Sequence, residues 1–138
     1  MAVDYEIRSN GIAIVTFNHP QKMNALGAPD LERLFEVFQD IRMNPEVLVG
    51  VLSGTGDKAF TTGLDLASLD DPEMKQMDER YRDSPQGLML NMIPYTKGID
   101  IWKPLIAAIN GHAIAMGACV VLGTDLRIAS TNATIAFN

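Results

Sequence analysis

Apolar residues recur along the chain in short runs whose spacing predicts β-strands. The run YEIRSNGIAIVTFN holds two β-rich segments around Ser9-Asn10-Gly11, and an Asn-Gly pair between such segments is a strong hairpin signal. Further along, VLVGVLSGTG predicts a buried strand that ends in a glycine turn. The runs KPLIAAING, LRIAS and ATIAF predict three more short apolar strands.

One clear helical pattern lies between the first strands. A helix is predicted from Pro29, which suits a first-turn position, and Asp30 and Glu32 place negative charge near the helix N-terminus. The pair Asn44-Pro45 is expected to end it. The apolar residues with helical spacing are Leu31, Leu34, Phe35, Phe38 and Ile41.

Three other segments have weaker helical patterns. KAFTTGLDLASL is predicted to be a loop that turns into a helix near Asp65, and ACVVLG is predicted to be a buried helix. The polar segment 70–98 carries several methionines and has helical spacing around Met89 and Ile93, which favours a pair of surface helices over a specific methionine-rich binding face. Strands that alternate with helices indicate an α/β fold in which loops at the strand ends carry the chemistry.

Composition narrows the classes of function. The 138 residues fit one domain, residues 1–138, and 47% hydrophobic residues are enough for a core. A net charge of −6 argues against nucleic acid as a partner. No apolar run approaches the ~20 residues of a membrane span, and no secretory signal is recognisable, so we expect a soluble, cytoplasmic protein with no membrane partner. The single cysteine, Cys119, excludes an internal disulfide, and no spacing of His, Cys and acids indicates a metal.

Two stretches share one design, in which a strand is followed by a turn of small residues and then by the start of a helix. They are VLSGTGDKAFTTGLDL and LIAAINGHAIAMGACVV. A helix N-terminus leaves backbone N–H groups without partners, and these stabilise an anion. Two such ends that converge would form an oxyanion hole for a carbonyl that becomes an enolate. Either turn alone is equally explained by packing of small residues.

Four blocks occur in a fixed order: NHPQKMNAL, KAFTTGLDL, KPLIAAINGHAIAMGA and TDLRIASTNATIAF. Together they resemble the crotonase superfamily, the enoyl-CoA hydratase/isomerase family, from about Ile7 to Asn138. The resemblance implies a crotonase-like spiral of strand-strand-helix units, an incomplete core domain truncated before a C-terminal helical trimerisation region. It also implies a homo-oligomer, either a trimer or a hexamer, in fatty acid metabolism.

The same resemblance implies a site for an acyl-CoA thioester. The two oxyanion donors carried over are the backbone N–H groups of Leu64 and Met116, whose side chains are free to vary. Coenzyme A enters as part of the substrate, with no separate cofactor, and lies along the KMNAL and TTGLDL loops. Lys22 suits a phosphate, but a solvated loop lysine explains it as well. The candidate substrate contacts are Lys22, Met23, Ala25, Thr62, Gly63, Asp65, Leu66 and Gly117.

The sequence departs from the family pattern at the positions of the two catalytic glutamates. Hydratases of the family carry two glutamates; Cys119 occupies the position of one, and the other position falls just after Asn138. We interpret Cys119 as a small buried hydrophobe rather than a catalytic thiol. His112 is expected to serve packing more than acid–base chemistry, and Asp125 to support the fold by hydrogen bonding.

Two functional hypotheses follow. In the first, the protein is an enzyme, a lyase or isomerase that stabilises a thioester enolate, and isomerisation of a double bond is favoured over hydration because one glutamate is missing. In the second, the chain is a truncated, inactive crotonase-like domain that binds CoA esters or a protein partner. The apolar strand ATIAF, as an exposed edge, predicts self-association of residues 1–138.

Overall fold

The computed structural model describes residues 1–81 and 100–137, and every element below lies in those ranges. The strands are β1 (Val3–Ile7), β2 (Ile12–Phe17), β3 (Val49–Gly54), β4 (Ala59–Thr61), β5 (Leu105–Ile109), β6 (His112–Ile114), β7 (Leu126–Ala129) and β8 (Thr134–Ala136). The α-helices are α1 (Ala28–Met43), α2 (Pro72–Tyr81) and α3 (Met116–Leu122), and single 3-10 turns span Pro20–Lys22 and Leu66–Ser68.

The predicted hairpin is confirmed by β1 and β2, which pair antiparallel with Ile7 opposite Ala13. At the turn, the Gly11 N–H donates to the Arg8 carbonyl oxygen at 2.9 Å. Gly11 has a φ of +80°, a conformation that glycine adopts without steric cost. The Asn-Gly signal therefore located the turn because the second residue of the pair must be glycine.

Two sheets divide the strands. The larger has the order β1-β2-β3-β5-β7, with every pair parallel except β1 with β2. The smaller has the order β4-β6-β8 and is parallel throughout. Successive pairs β3–β4, β5–β6 and β7–β8 each send one strand to each sheet, and α2 and α3 follow the first two pairs in the chain. The predicted strand-strand-helix units and α/β class are confirmed.

Strands β4 and β6 were missed by the sequence patterns, which assigned β4 to a loop and left β6 unassigned. Each has three residues, too few to display a period of two. In addition, all of Ala59, Phe60 and Thr61 are buried, so β4 has no polar face that could alternate with an apolar one. Only pairing with distant strands identifies these segments.

Helix α1 follows the predicted course. It begins at Ala28 with Gly27 as its N-cap, and the Asp30 carboxylate accepts a hydrogen bond from the Gly27 N–H at 3.1 Å. It ends at Met43, where the Asn44 N–H donates to the Asp40 carbonyl oxygen at 2.8 Å. The buried face includes Leu31, Leu34, Val37, Phe38 and Ile41, which is the predicted helical stripe with Val37 added and with Phe35 only partly buried.

Aromatic packing joins the two sheets. The Phe17 ring of β2 and the Phe60 ring of β4 meet edge to face, with centroids 5.1 Å apart and planes at 79°. Helix α2 adds Met74 and Met77, both buried in the same core, so these methionines are not the surface contacts that the sequence suggested. The predicted helical spacing around Met89 and Ile93 lies outside the described residues.

The last two strands lie at sheet edges and expose apolar side chains. Leu126 and Ile128 of β7 are 58% and 67% exposed, and Ile135 of β8 is 47% exposed. Self-association through these strands remains a prediction. Within residues 1–81 and 100–137, the helices lack the length and apolar character that crossing a bilayer requires.

Candidate functional site

A pocket of about 500 Å³ opens where loops after β2, β4 and β6 meet. Three segments line it: the entry loop (residues 19–26), the first donor loop (residues 62–66) and the second donor loop (residues 114–117). The lining residues are Ala25, Thr62, Leu64, Asp65, Leu66, Ile114, Ala115 and Met116. Of the residues predicted from sequence, both oxyanion candidates and four of the substrate contacts line the pocket. The other four predicted contacts belong to the same three segments but are not lining residues: Lys22, Met23, Gly63 and Gly117.

Backbone hydrogen bonds fix the first donor loop against the entry loop. Leu26 and Leu64 form a parallel bridge, in which the Leu26 N–H donates to the Gly63 carbonyl oxygen at 2.8 Å and the Asp65 N–H donates to the Leu26 carbonyl oxygen at 2.9 Å. Gly63 has a φ of +85°. The Leu64 N–H takes no part in this bridge, and it donates to no acceptor among the described residues.

The second donor loop ends at the start of α3. Ala115 is the N-cap of the helix and has φ 51° and ψ −117°, a conformation that non-glycine residues seldom adopt. Its N–H donates to the Ala136 carbonyl oxygen at 2.9 Å, and its carbonyl accepts from the Cys119 N–H at 3.1 Å. As the first residue of the helix, Met116 has an N–H without an intrahelical partner, and no other described residue accepts from it.

The two donor loops touch. A methyl group on Gly63 would lie 3.0 Å from both the N and Cβ atoms of Met116, and one on Gly117 would lie 2.1 Å from the Thr61 carbonyl oxygen. Glycine at these positions therefore permits the approach of the loops. The arrangement brings the backbone N–H groups of Leu64 and Met116, which have no acceptor among residues 1–81 and 100–137, to one mainly apolar pocket, where they are suited to hydrogen-bond an oxygen atom of a ligand.

Asn24 holds the entry loop, and the sequence analysis did not identify it. Its side chain is fully buried; the His19 N–H donates to Oδ1 at 2.8 Å, and Nδ2 donates to the Ala59 and Thr55 carbonyl oxygens at 2.8 and 3.1 Å. Both Met23 and Asn24 have a φ of 56°, in the left-handed region that asparagine tolerates better than most residues. The sequence signal that could have identified Asn24 is an asparagine in a loop that also contains glycine and proline, where left-handed backbone conformations are common.

Asn110, which follows β5, also holds the β3–β4 connection through its side chain, and the sequence patterns did not predict this role. Its Nδ2 donates to the Gly56 and Ala59 carbonyl oxygens at 2.8 and 3.0 Å, and its Oδ1 accepts from the Gly54 N–H at 3.0 Å. The Ala59 carbonyl thus receives amide groups from both Asn24 and Asn110. These two side chains tie the β3–β4 connection, and with it the start of β4, to both neighbouring loops.

An ion pair closes the entry loop onto the first donor loop. Lys22 Nζ lies 2.6 Å from Asp65 Oδ2, and Asp65 Oδ1 accepts from the Ala67 N–H at 3.1 Å. The hydrogen bond from Lys22 holds the pKa of the Asp65 carboxyl below its ordinary value against the opposing effect of burial, and the same bond raises the pKa of Lys22. Asp65 therefore caps a turn, as expected of a carboxylate there, but the turn is a 3-10 turn, and the α-helix begins only at Pro72.

The remaining titratable candidates lie away from the pocket lining. Cys119 is partly buried on α3 and packs against the core, as its interpretation as a hydrophobe predicted. His112 Nδ1 lies 2.6 Å from Thr134 Oγ1 across β6 and β8. Asp125 accepts from the Leu105 N–H at 2.7 Å, which confirms its expected role in the fold. In the described part of the chain, no group of three or more His, Cys, Asp or Glu residues could hold a metal ion.

Known proteins of one family are similar to this chain in sequence. The model of a family described as enoyl-CoA hydratase/isomerase matches residues 7–138. The chain is similar to the (E)-benzylidenesuccinyl-CoA hydratase of Thauera aromatica, with 40% identity over 96% of this chain and 48% of the relative. It is also similar to a short-chain-enoyl-CoA hydratase of Clostridium acetobutylicum, with 35% identity over 88% of this chain and 44% of the relative.

A solved structure has the same fold. The crystal structure of an enoyl-CoA hydratase from Bacillus anthracis superimposes with a TM-score of 0.78 and 25% identity, covering 98% of this chain and 50% of that one. The fold that the sequence motifs implied is therefore confirmed. The chain spans about half the length of the curated relatives that it matches.

Proposed function

The chain belongs to the enoyl-CoA hydratase/isomerase family, and on that premise we propose that its protein binds an acyl-CoA thioester and polarises the thioester carbonyl. The carbonyl oxygen accepts hydrogen bonds from the backbone N–H groups of Leu64 and Met116. The observation that carries the proposal is that these two residues line one pocket and that neither N–H has an acceptor in the described part of the chain. The site was predicted from sequence at the same two residues.

The chemistry of such a site is stabilisation of developing charge. When a base removes a proton next to a thioester carbonyl, negative charge moves onto the carbonyl oxygen, and fixed N–H donors stabilise it without reorganisation. Each donor of this kind contributes about 10²–10³-fold to kcat in known enzymes. Because the donors belong to the backbone, leucine and methionine side chains at the two positions are compatible with the role.

The pocket suits an acyl chain. Its volume of about 500 Å³ falls in the range of small-molecule sites. Leu66 and Ile114 supply apolar surface, and Ala25 adds little bulk on the side of the entry loop. Asp65 is the one ionisable side chain among the described lining residues, and it is engaged by Lys22 and Ala67. We therefore assign to the described residues the binding and polarisation of the thioester, and not the proton transfer.

Contacts to the coenzyme A part of the substrate are proposed along the entry loop. Lys22 keeps 52% of its side chain exposed while it pairs with Asp65, so it is accessible to a phosphate. The pair also gives Lys22 a structural role, because it joins the entry loop to the first donor loop. Thr62 lines the pocket, and its N–H donates to the carbonyl oxygen of Met23 in the entry loop at 3.2 Å.

For the reaction itself, we propose double-bond isomerisation, with hydration as the second candidate. Cys119 stands where hydratases of the family have a glutamate, so the described residues supply no carboxylate at that position. Hydration is favoured by a different observation, since the two relatives described above are named hydratases. Both reactions pass through the same polarised thioester.

One experiment tests the proposal. The full-length protein is offered a 3-enoyl-CoA and crotonyl-CoA, and conversion is followed by the absorbance of the conjugated thioester, while calorimetry measures binding of the unreactive butyryl-CoA. We expect butyryl-CoA to bind and the 3-enoyl-CoA to be converted faster than crotonyl-CoA. Faster conversion of crotonyl-CoA would establish hydration instead. Binding with no turnover of either would support the inactive domain, and no binding at all would refute the assignment of the pocket.

A further inference from the structure

We propose that Thr61 is a positioning residue that sets both backbone donors of the pocket, one through its hydroxyl group and the other through its carbonyl group. Thr61 is the last residue of β4, is fully buried and does not line the pocket. The inference rests on the proposed function, because the groups that Thr61 positions are the Leu64 and Met116 N–H groups.

The hydroxyl group acts on the first donor loop. Thr61 Oγ1 donates to the Asn24 carbonyl oxygen at 2.6 Å and accepts from the Gly63 N–H at 3.1 Å, and both bonds are buried. The Gly63 carbonyl oxygen is in turn bound by the Leu26 N–H at 2.8 Å. Both polar groups of Gly63 are thereby fixed, although a glycine at φ +85° has no side chain to restrict it.

Fixing Gly63 aims the next amide. A trans peptide is planar, so its C=O and N–H bonds point in opposite directions. Because the Gly63 carbonyl points to the Leu26 N–H, the Leu64 N–H in the same peptide unit points away from Leu26. The direction of the first donor is therefore a consequence of the two bonds that hold Gly63.

The carbonyl group of Thr61 acts on the second donor loop. A methyl group on Gly117 would lie 2.1 Å from the Thr61 oxygen, so the backbone after Met116 rests directly on β4. Thr61 also pairs with Ala113 of β6, the strand that leads into this loop. A displacement of Thr61 is thus transmitted to both sides of the pocket.

Loss of the hydroxyl group is expected to affect catalysis more than folding. Without it, the Asn24 carbonyl and the Gly63 N–H are both left without partners in a buried place. Gly63 can rotate to relieve this, and rotation turns the Leu64 N–H away from its set direction. The neighbouring Thr62 offers no substitute, because its hydroxyl already donates to the Met23 carbonyl oxygen at 3.4 Å.

The chain offers a matched control in Thr124. This threonine is also buried, and its hydroxyl donates to the Val121 carbonyl oxygen at 2.7 Å. It lies at the far end of α3 from Met116. Thr124→Val therefore removes a buried hydroxyl of similar kind without contact with either donor loop.

The test compares Thr61→Val, Thr61→Ser and Thr124→Val in the full-length protein. For Thr61→Val we expect kcat to fall about 10-fold or more with KM changed less than about threefold, since partial loss of an oxyanion donor acts mainly on the transition state. Thr61→Ser retains the hydroxyl and should recover kcat to within about threefold of wild type, as should Thr124→Val. Circular dichroism confirms folding of each variant.

A second readout does not depend on turnover. Butyryl-CoA labelled with ¹³C at the thioester carbonyl should show its carbonyl stretching band at lower frequency when bound to wild type, because hydrogen bonds weaken the C=O bond. We expect a smaller displacement in Thr61→Val and the full one in Thr61→Ser and Thr124→Val. Equal kcat and equal bands in Thr61→Val and Thr124→Val would overturn the inference and leave the proposed function intact. A wild type that binds no acyl-CoA would overturn both.

Discussion

The two donor loops present the same chemical group to one pocket, but different forces hold them. The first donor loop is fixed by hydrogen bonds and by charge. The Gly63 N–H donates to Thr61 Oγ1, and the Leu26 N–H donates to the Gly63 carbonyl oxygen. Lys22 forms an ion pair with Asp65. The second donor loop begins in the paired strand β6, and in front of the helix the Ala115 N–H donates to the Ala136 carbonyl oxygen of β8. Close packing holds the rest of it, including the contact of Gly117 with the Thr61 oxygen.

Backbone strain also separates the loops. Ala115 adopts φ 51° and ψ −117° with a Cβ atom present, which costs of the order of 1–3 kcal/mol. Gly63 reaches its positive φ without that cost, since it has no Cβ. The comparison teaches that the second loop should be sensitive to added volume, whereas the first should be sensitive to the loss of a hydrogen bond or a charge.

The largest effect is expected from Gly117→Ala. The added methyl group would lie 2.1 Å from a backbone oxygen that cannot move without shifting β4, so the start of α3 must move instead. We expect kcat to fall about 10³-fold, with destabilisation of about 1–3 kcal/mol from overpacking. Enoyl-CoA turnover and thermal unfolding measure the two effects.

Gly27→Ala is the control for that change. Gly27 has an ordinary φ of −88°, and its nearest neighbour to an added methyl group is 3.8 Å away. We expect turnover to stay near that of wild type and stability to change by less than about 1 kcal/mol. A Gly117→Ala protein with undiminished kcat would refute the placement of the second donor.

Gly63→Ala should have the next largest effect. Its methyl group would lie 3.0 Å from Met116 N and Cβ, and alanine at φ +85° is itself strained. Both donors would be displaced by small amounts, and we expect kcat to fall about 10²-fold. Calorimetric binding of butyryl-CoA should weaken much less than kcat falls, because the donors act mainly on the charge that develops in the transition state.

Strain and crowding can be separated with Gly56→Ala. Gly56 has the same φ of +85°, but an added methyl group would meet nothing closer than 3.7 Å. This variant should lose about 1–2 kcal/mol of stability from the left-handed conformation while its turnover is retained. If Gly56→Ala and Gly63→Ala lost activity equally, general destabilisation and not displacement of the donors would be the cause.

The elements that carry this comparison differ in how far the sequence predicts them. The hairpin turn at Gly11 and helix α1 follow from local signals, namely an Asn-Gly pair and a stripe of apolar residues with capping residues at each end. Strands β4 and β6 follow from no local signal, because three residues are too few to show a period of two. Their pairing is decided by the rest of the fold.

The candidate site divides in the same way. Leu64 and Met116 were placed by resemblance of short motifs, and the structure puts both at one pocket. Thr61, Asn24 and Asn110 were not found, because a polar residue in a loop looks solvated until its partners are known. Asn24 bonds Thr55, 31 residues away, and Asn110 bonds Gly56, 54 residues away. Such long-range bonds have no sequence spacing that a single chain reveals.

The TDLRIAS segment, which belongs to the fourth block of the resemblance, contributes to the scaffold. Asp125 binds the Leu105 N–H at 2.7 Å, and Arg127 donates to the Thr124 carbonyl oxygen at 2.7 Å near the end of α3. A cation at a helix C-terminus is favourable for the helix dipole. This segment thus ties the end of α3 to β5 and β7.

The smallest effect is expected from removal of the ion pair between Lys22 and Asp65, which joins the entry loop to the first donor loop. The pKa of Asp65 is lowered from its ordinary value of 3.8 by Lys22, so the stability from its ionised form is present above about pH 4 and is lost as pH falls through the lowered pKa. The pKa of Lys22 is raised from 10.5, so its contribution is present below about pH 10 and is lost at higher pH as Lys22 deprotonates.

Lys22→Met should therefore lower the melting temperature by a small, constant amount between about pH 5 and pH 9, and the difference from wild type should shrink below about pH 4. Because Lys22 is half exposed, 1 M NaCl should also reduce the difference. Lys75→Met removes a wider pair, 3.6 Å from Asp70 and exposed on both sides, and should leave the melting temperature nearly unchanged. A Lys22→Met difference that persisted at pH 3 would mean that the lysine acts by packing its methylene groups, and the first loop would then resemble the second.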